Sequence, residues 1–101
     1  MSCAPTRGGD VVIVLENSVR RWVVAYQEYQ RTCQDVDANP RRSTAAHAVA
    51  TSSWAVASAW RELASAPEMP WWVVAAVDTS ADMFEEQARA WTVHARRLAG
   101  A

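Results

Sequence analysis

Residues 71–98, WWVVAAVDTSADMFEEQARAWTVHARRL, decide the fold of this chain. Apolar residues recur through this stretch at steps of three and four, the spacing that places side chains on one face of an α-helix. A half-buried strand would instead alternate apolar and polar residues at every second position. The stretch therefore predicts a long helix with one continuous apolar seam. The seam residues are Val74, Val77, Ala81, Phe84, Ala88, Trp91, Ala95 and Leu98.

A second seam of the same spacing runs through the N-terminal part of the chain. We expect its helix to begin after Asp10, whose side chain could cap it, and to end near Asp37. Residues 1–9 contain one proline and two glycines and are predicted to be a flexible lead. Residues 10–101 would then form a single helical domain. The seam residues are Val12, Leu15, Val19, Trp22, Tyr26, Tyr29, Cys33 and Val36.

Between the two seams lies a segment rich in alanine and serine. Asn39 followed by Pro40 is typical of a cap residue with proline in the first helical turn, so we expect a helix from about Pro40 to Ala64. Ser65 and Glu68 have the spacing of a capping box before the next helix. The sequence thus predicts an all-α fold, a three-helix bundle with long first and third helices. The larger residues of the middle helix, Val49, Val56, Trp60 and Leu63, share one stripe.

An α/β fold is the alternative. Residues 11–15 and 71–77 are short runs of β-branched and aromatic residues, and either run could be a buried strand. We favour helix because each seam continues in phase from the run into the residues beside it.

Composition limits the classes of function. The 101 residues are enough for about one domain, and half of them are hydrophobic. The formal net charge of −1 provides no overall field to attract nucleic acid or an anionic membrane. No run approaches the roughly 20 apolar residues of a membrane-spanning helix. Arginine without lysine suggests a GC-rich genome, actinobacterial or phage, and we expect a cytoplasmic protein, or a virion-associated one if a phage encodes it.

Residues that could carry chemistry are few. His47 and His94 lie on different predicted helices, and neither has a carboxylate or histidine at the spacing of a helical metal site. Cys33 belongs to an apolar seam, which favours an inert thiol, and Cys3 lies in the predicted lead. No glycine-rich phosphate loop is present in the sequence. We therefore predict a protein that is not an enzyme and holds no metal or cofactor.

Tryptophan gives the main indication of function, because the chain has six. Trp72 lies about 200° around the helix from Val74, on the face opposite the main seam. Trp54 is about 120° from Trp60, so both cannot occupy the centre of one stripe. Aromatic residues and methionine on a second surface are typical of interfaces. The alternative is a third helix that is central and buried on two sides. The candidate interface residues are Trp54, Trp72, Ala76, Met83 and Val93.

Three arginine pairs are candidate contacts for an anion or nucleic acid. Adjacent residues on a helix point about 100° apart, so each pair broadens a basic surface. The middle pair stands at the predicted start of the second helix, where free backbone N–H groups favour anions. The pairs are Arg20 and Arg21, Arg41 and Arg42, and Arg96 and Arg97.

In size, alanine content, lack of a signal peptide and a turn near Asn39 and Pro40, the chain is similar in outline to small helical-hairpin proteins that actinobacterial type VII systems export. The Trp-x-Gly turn and the C-terminal Tyr-x-x-x-Asp/Glu signal of those proteins are absent from this sequence. The resemblance therefore implies no role for any residue here.

These observations predict a non-catalytic helical module for protein–protein interaction, an adaptor, assembly component or small regulator that associates with itself. A regulator that binds nucleic acid through the arginine pairs is the first alternative. A small exported helical effector is the second.

Overall fold

A computed structural model of the chain describes the backbone of residues 4–100 and the side chains of residues 15–100. Over this range the chain forms three α-helices and no strand: α1 (Ala4–Ala38), α2 (Ser43–Ala64) and α3 (Trp71–Gly100). The prediction of an all-α three-helix fold is confirmed. The alternative strands at 11–15 and 71–77 are wrong, because both runs continue the helical seam beside them and lie within α1 and α3.

The two ends of α1 agree to different extents with the bounds predicted from the sequence. Its C-terminal end at Ala38 is one residue beyond the predicted end at Asp37, whereas its N-terminal end at Ala4 precedes Asp10 by more than a helical turn. The boundary predicted at residue 10 is therefore not a break in the helix. The division into a lead and a single domain stays a prediction, and Cys3 lies outside the described residues.

The connection between α1 and α2 is a tight turn, not the first turn of a helix. The Arg42 backbone N–H donates to the carbonyl oxygen of Asn39 at 3.1 Å, so Pro40 and Arg41 occupy the centre of the turn. Asn39 closes α1, since its backbone N–H donates to Asp35 O at 2.9 Å. The predicted cap at Asn39 and helix start at Pro40 are wrong, and α2 begins at Ser43 after Arg42.

The connection between α2 and α3 does not contain the predicted capping box. Ser65 ends α2, where its hydroxyl donates to the carbonyl oxygen of Glu62 at 2.7 Å. Glu68 turns the chain with a positive φ of 65°. Within the first turn of α3, the backbone N–H groups of Val73 and Val74 donate to the Pro70 carbonyl oxygen. Proline therefore lies just before the helix, where its missing N–H costs nothing.

The middle helix is the centre of the molecule. Each of the two long helices packs against α2, whereas no described Cα atom of α1 lies within 8 Å of one in α3. Small side chains permit this close packing on both sides of α2. The prediction of a central third helix, made as the alternative to an interface, is wrong because α2 takes that place. The buried residues of α2 are Ala45, Ala46, Val49, Ala50, Ser52, Ser53, Val56, Ala57 and Ala59.

Aromatic rings fill the space that α1 and α3 leave between them. Trp22 contacts Trp60 at a centroid distance of 4.9 Å and stacks on Tyr26 at 5.1 Å. Tyr26 in turn contacts Tyr29, and Tyr29 meets the Phe84 ring edge-on at 5.2 Å. We call these five residues the aromatic cluster. It joins all three helices, so the two long helices are held together by side chains and not by close backbone packing.

The three helices form an elongated body. Arg21 of α1 pairs with Glu62 near the end of α2, and Arg61 pairs with Asp78 of α3. The N-terminal parts of α1 and α3 therefore extend together past the end of α2. The radius of gyration is 17.3 Å, compared with about 13 Å for a compact domain of this length.

Enlarging a buried alanine should test the close packing of α2 and α3. Ala88 is fully buried, so we expect Ala88→Leu to lower the free energy of unfolding by about 1–3 kcal/mol through overpacking. Ala75→Leu, at an exposed position of the same helix, is the matched control and should change it little. Urea unfolding followed by circular dichroism measures both. Equal stability of the two variants would contradict the packing described here.

Candidate interaction surface

An apolar stripe runs along the solvent-exposed side of α3. Trp72 is 62 % exposed, Met83 65 % and Val93 43 %. Ala76 and Ala90 are exposed as well. We call these five residues the α3 stripe. It contains every α3 residue that the sequence analysis chose as a candidate for an interface.

The stripe lies opposite the side of α3 that packs on α2. At 100° per residue, Trp72, Met83 and Ala90 fall within about 20° of one another around the helix. The buried residues of α3 fall about 140–180° from Trp72. These buried residues are Val77, Ala81, Ala88 and Ala95. Trp72 is thus a surface residue of the monomer and not part of its core.

Trp54, the remaining candidate, lies on α2 and not on the stripe. It is 39 % exposed, and the guanidinium of Arg89 lies over its ring at 5.4 Å from the centroid. This distance suits a cation–π contact, which at a surface position contributes modestly. The structure therefore does not bring Trp54 into line with the other four candidates.

Sequence reasoning missed several exposed apolar residues. Trp71 is 80 % exposed, and Val19, Val23 and Val24 are also well exposed. The predicted seam of α1 includes Val19, but this side chain is 43 % exposed because it lies at the edge of the seam away from α2. A helical wheel centred on the buried Ser18 and Thr32 places Val19 at the edge of the buried face. The apolar seam does not show this, because it leaves out serine and threonine.

A cluster of charges joins α2 to α3 next to the stripe. The Arg61 guanidinium donates to Asp82 at 2.7 Å and to Glu85 at 3.0 Å, and lies 3.6 Å from Asp78. The hydrogen bond from Arg61 holds the pKa of the Glu85 carboxyl below its usual range, against the opposite effect of burial. The same two hydrogen bonds raise the pKa of Arg61. Three carboxylates thus share one cation, which leaves this end of α3 negatively charged.

The arginine pairs are divided between two places. Arg21 donates to Glu62 at 2.7 Å, and this hydrogen bond lowers the pKa of the Glu62 carboxyl. Arg21 is therefore occupied in an ion pair, although its neighbour Arg20 is exposed. Arg41 and Arg42 lie in the turn before α2, at the end of the molecule where α3 finishes.

Arg96 and Arg97 lie at that same end, since Arg96 lines a shallow groove together with Ser43 and His47 of α2. Within residues 15–100, none of the arginines at 41, 42, 96 and 97 forms an ion pair. The structure thus collects two of the three arginine pairs into one basic end.

The other residues considered for chemistry do not assemble into a site. In the part of the chain that the structure describes, no group of three or more His, Cys, Asp or Glu could hold a metal ion. His94 lies edge-on to Trp91 at 5.5 Å, and Cys33 is half-buried. None of the described helices is long and apolar enough to cross a membrane.

Replacing Arg61 should reveal the charge cluster in the pH dependence of stability. Because the pKa of Glu85 is lowered in the folded state, its contribution is present at neutral pH and is lost as the pH falls below about 4. Arg61→Gln should lower the urea midpoint at pH 7 and flatten its decline between pH 5 and 3. Arg20→Gln is the control, at an exposed position. A decline as steep in Arg61→Gln as in the wild type would contradict the assignment.

Comparisons of this chain with protein-family models, with curated proteins and with solved structures find no match.

Proposed function

We propose that the chain is a non-catalytic helical module for protein–protein interaction that acts through the α3 stripe and associates with copies of itself. The observation that carries the proposal is the exposure of Trp72 and Met83 on one line of a helix whose other side is fully packed. In the cytoplasm, or in a virion if the source is a phage, such a module would serve as an adaptor, an assembly component or a small regulator.

The physical support is the free energy of burying apolar surface. Each large side chain moved from water into an interface contributes about 1.5–3 kcal/mol, and aromatic residues and methionine are enriched at such surfaces. The α3 stripe offers an indole, a thioether and a valine, each about three helical turns from the next along the helix. Single exposed apolar residues are ordinary, whereas several on one face of a helix favour a contact surface, although Thr79 and Glu86 interrupt the apolar residues here.

The charged residues of α3 also support a role of the α3 stripe as an interaction surface. Acidic residues border the stripe in the first half of α3 and arginines in the second half, so the stripe has the polar surroundings of an interface.

Light scattering at several protein concentrations tests the proposal. We expect the wild-type mass to rise with concentration and to be insensitive to salt. Met83→Glu and Trp72→Glu should abolish the rise, because each places a carboxylate where association would bury it. Helicity by circular dichroism should not change, since both side chains are exposed in the monomer.

Val24→Glu is the matched control, since Val24 is 66 % exposed on α1, away from the α3 stripe. It should associate like the wild type. A wild-type chain that stays monomeric at every concentration would refute self-association. Unfolding of Trp72→Glu would place that indole in the core and refute the surface assigned to it.

The basic end favours nucleic-acid binding as a second candidate. Its four arginines have no carboxylate partner in the described residues, and α3 has no acidic residue after Glu86. Binding through phosphate contacts would weaken steeply with salt. Arg41, Arg42, Arg96 and Arg97 replaced together by Gln should abolish any binding to a mixed-sequence duplex in 50 mM salt. Binding that persists in this variant, or whose affinity does not change with salt concentration, would exclude nucleic-acid binding through the basic end.

The alternative of a small exported helical effector stays a prediction.

A further inference from the structure

We propose that Gln87 selects the register in which α3 packs on the other two helices. The apolar residues of α3 repeat so regularly that they would meet α2 in a similar way after a slide of seven residues, about 10 Å along the helix. This inference concerns how the fold is specified, and it does not depend on the proposed function.

Small side chains repeat at intervals of seven on the faces where α2 and α3 pack together. Ala57 of α2 lies one turn from both Ser53 and Arg61, whose side chains bond to α3. Seven residues fall only about 20° short of two turns, so each repeat continues one line along its helix. A slide of seven residues therefore places alanine against alanine again. The buried repeats are Ala50 and Ala57 on α2 and Ala81, Ala88 and Ala95 on α3.

The larger apolar residues of α3 repeat at the same interval. A slide toward the C-terminal end of α3 puts Val77 where Phe84 lies, so the Tyr29 ring would still meet an apolar side chain. The exception to the pattern is Val74, which would enter the place of the fully buried Ala81. Apolar packing alone thus discriminates weakly between the two registers. The larger repeating residues are Val77, Phe84, Trp91 and Leu98.

The connection between α2 and α3 allows this slide. Arg61, one turn before the end of α2, pairs with Asp82. The end of α2 is therefore level with a point about two turns into α3, which begins at Trp71. The slide would bring Trp71 level with that end, so residues 65–70 would span a shorter distance than they do now.

Gln87 is the α3 residue that distinguishes the two registers. Its side-chain amide donates to the Tyr29 hydroxyl at 2.7 Å and to the Ser53 hydroxyl at 3.2 Å, which joins α3 to both other helices. After the slide Ser80 would lie in this place, and its shorter side chain bonds within α3, to the Ala76 carbonyl oxygen. In coiled coils, a single polar residue in the packed face specifies register in the same way.

The remaining polar contacts between helices discriminate less. Arg61 would keep Asp78 within reach, and the two other ion pairs that it would lose involve partly exposed side chains and contribute modestly. The hydrogen bond between Thr32 and Ser52 joins α1 to α2 and is unaffected by a slide of α3. The choice of register therefore depends chiefly on Gln87.

Replacing Gln87 by serine removes the distinction, because positions 80 and 87 then carry the same residue. We expect Gln87→Ser to stay folded and to populate both registers. The Ser53 hydroxyl still donates to the Val49 carbonyl oxygen at 2.7 Å, so it is not left unpaired. Glu86→Ser is the matched control at the exposed neighbouring position and should keep one register.

Spin labels on two exposed positions measure the register. Ser58 of α2 and Arg97 of α3 are exposed and lie about 18 Å apart along the bundle axis. Ser58→Cys and Arg97→Cys, in a chain with Cys3→Ala and Cys33→Ala, carry the labels for double electron–electron resonance. The slide moves position 97 about 10 Å further from position 58 along this axis.

The wild-type background and Glu86→Ser should each give one distance, whereas Gln87→Ser should add a second, longer one. A single, unchanged distance in Gln87→Ser would overturn the inference. Loss of helicity in this variant, measured by circular dichroism, would overturn it too, since the amide would then be required for folding and not for the choice of register.

Moving the amide by seven residues tests whether it is sufficient to set the register. Ser80→Gln and Gln87→Ser together exchange the two residues, and Val74→Ala removes the crowding that the slide would cause. In this triple variant the amide reaches Tyr29 and Ser53 only after the slide, so the longer distance should predominate. A chain that keeps the wild-type distance would show that other contacts fix the register, which contradicts the role assigned to the amide.

Discussion

The small side chains of α2 are the constraint on which the rest of the structure depends. Alanine at 46 and 57 and valine at 49 and 56 are almost fully buried, so both long helices can approach the α2 backbone closely. Serine and threonine share this interior without leaving their hydroxyls unpaired. The Thr32 and Ser52 hydroxyls lie 2.8 Å apart and share a hydrogen bond. Buried polar groups with partners cost little, so the interior can be small and partly polar and still be packed.

A small central helix determines where the aromatic residues lie. Because α2 offers little apolar volume, most of the large rings must come from α1 and α3 and from Trp60. Tyr29 is half-buried in this cluster, and burial raises the pKa of its hydroxyl above the ordinary value. The indoles of Trp54, Trp71 and Trp72 have no room in such an interior. Their exposure is thus a result of the same constraint that forms the aromatic cluster.

The sequence predicts the features that repeat and misses those that depend on packing between helices. Steps of three and four specify α1 and α3 over most of their length, and the same wheel places Trp72 and Met83 away from the core. The central position of α2 was missed, because alanine and serine give no apolar seam. Pro40 was assigned to a helix because a proline after asparagine suits either a first turn or a tight turn. Arg61 could not be matched to Asp82 and Glu85 before the helices were placed.

The packed interior between α2 and its neighbours also limits how this sequence can change over time. At Ala46, Ala57, Ala81 and Ala88 there is space for a methyl group and little else. Glycine would fit at these positions but weakens a helix by about 1 kcal/mol, and larger residues would separate the helices. Substitutions should therefore accumulate on the outer faces, whereas descendants keep alanine or serine along the centre. Homologues that have diverged in every charged and aromatic residue would still share this pattern of small residues.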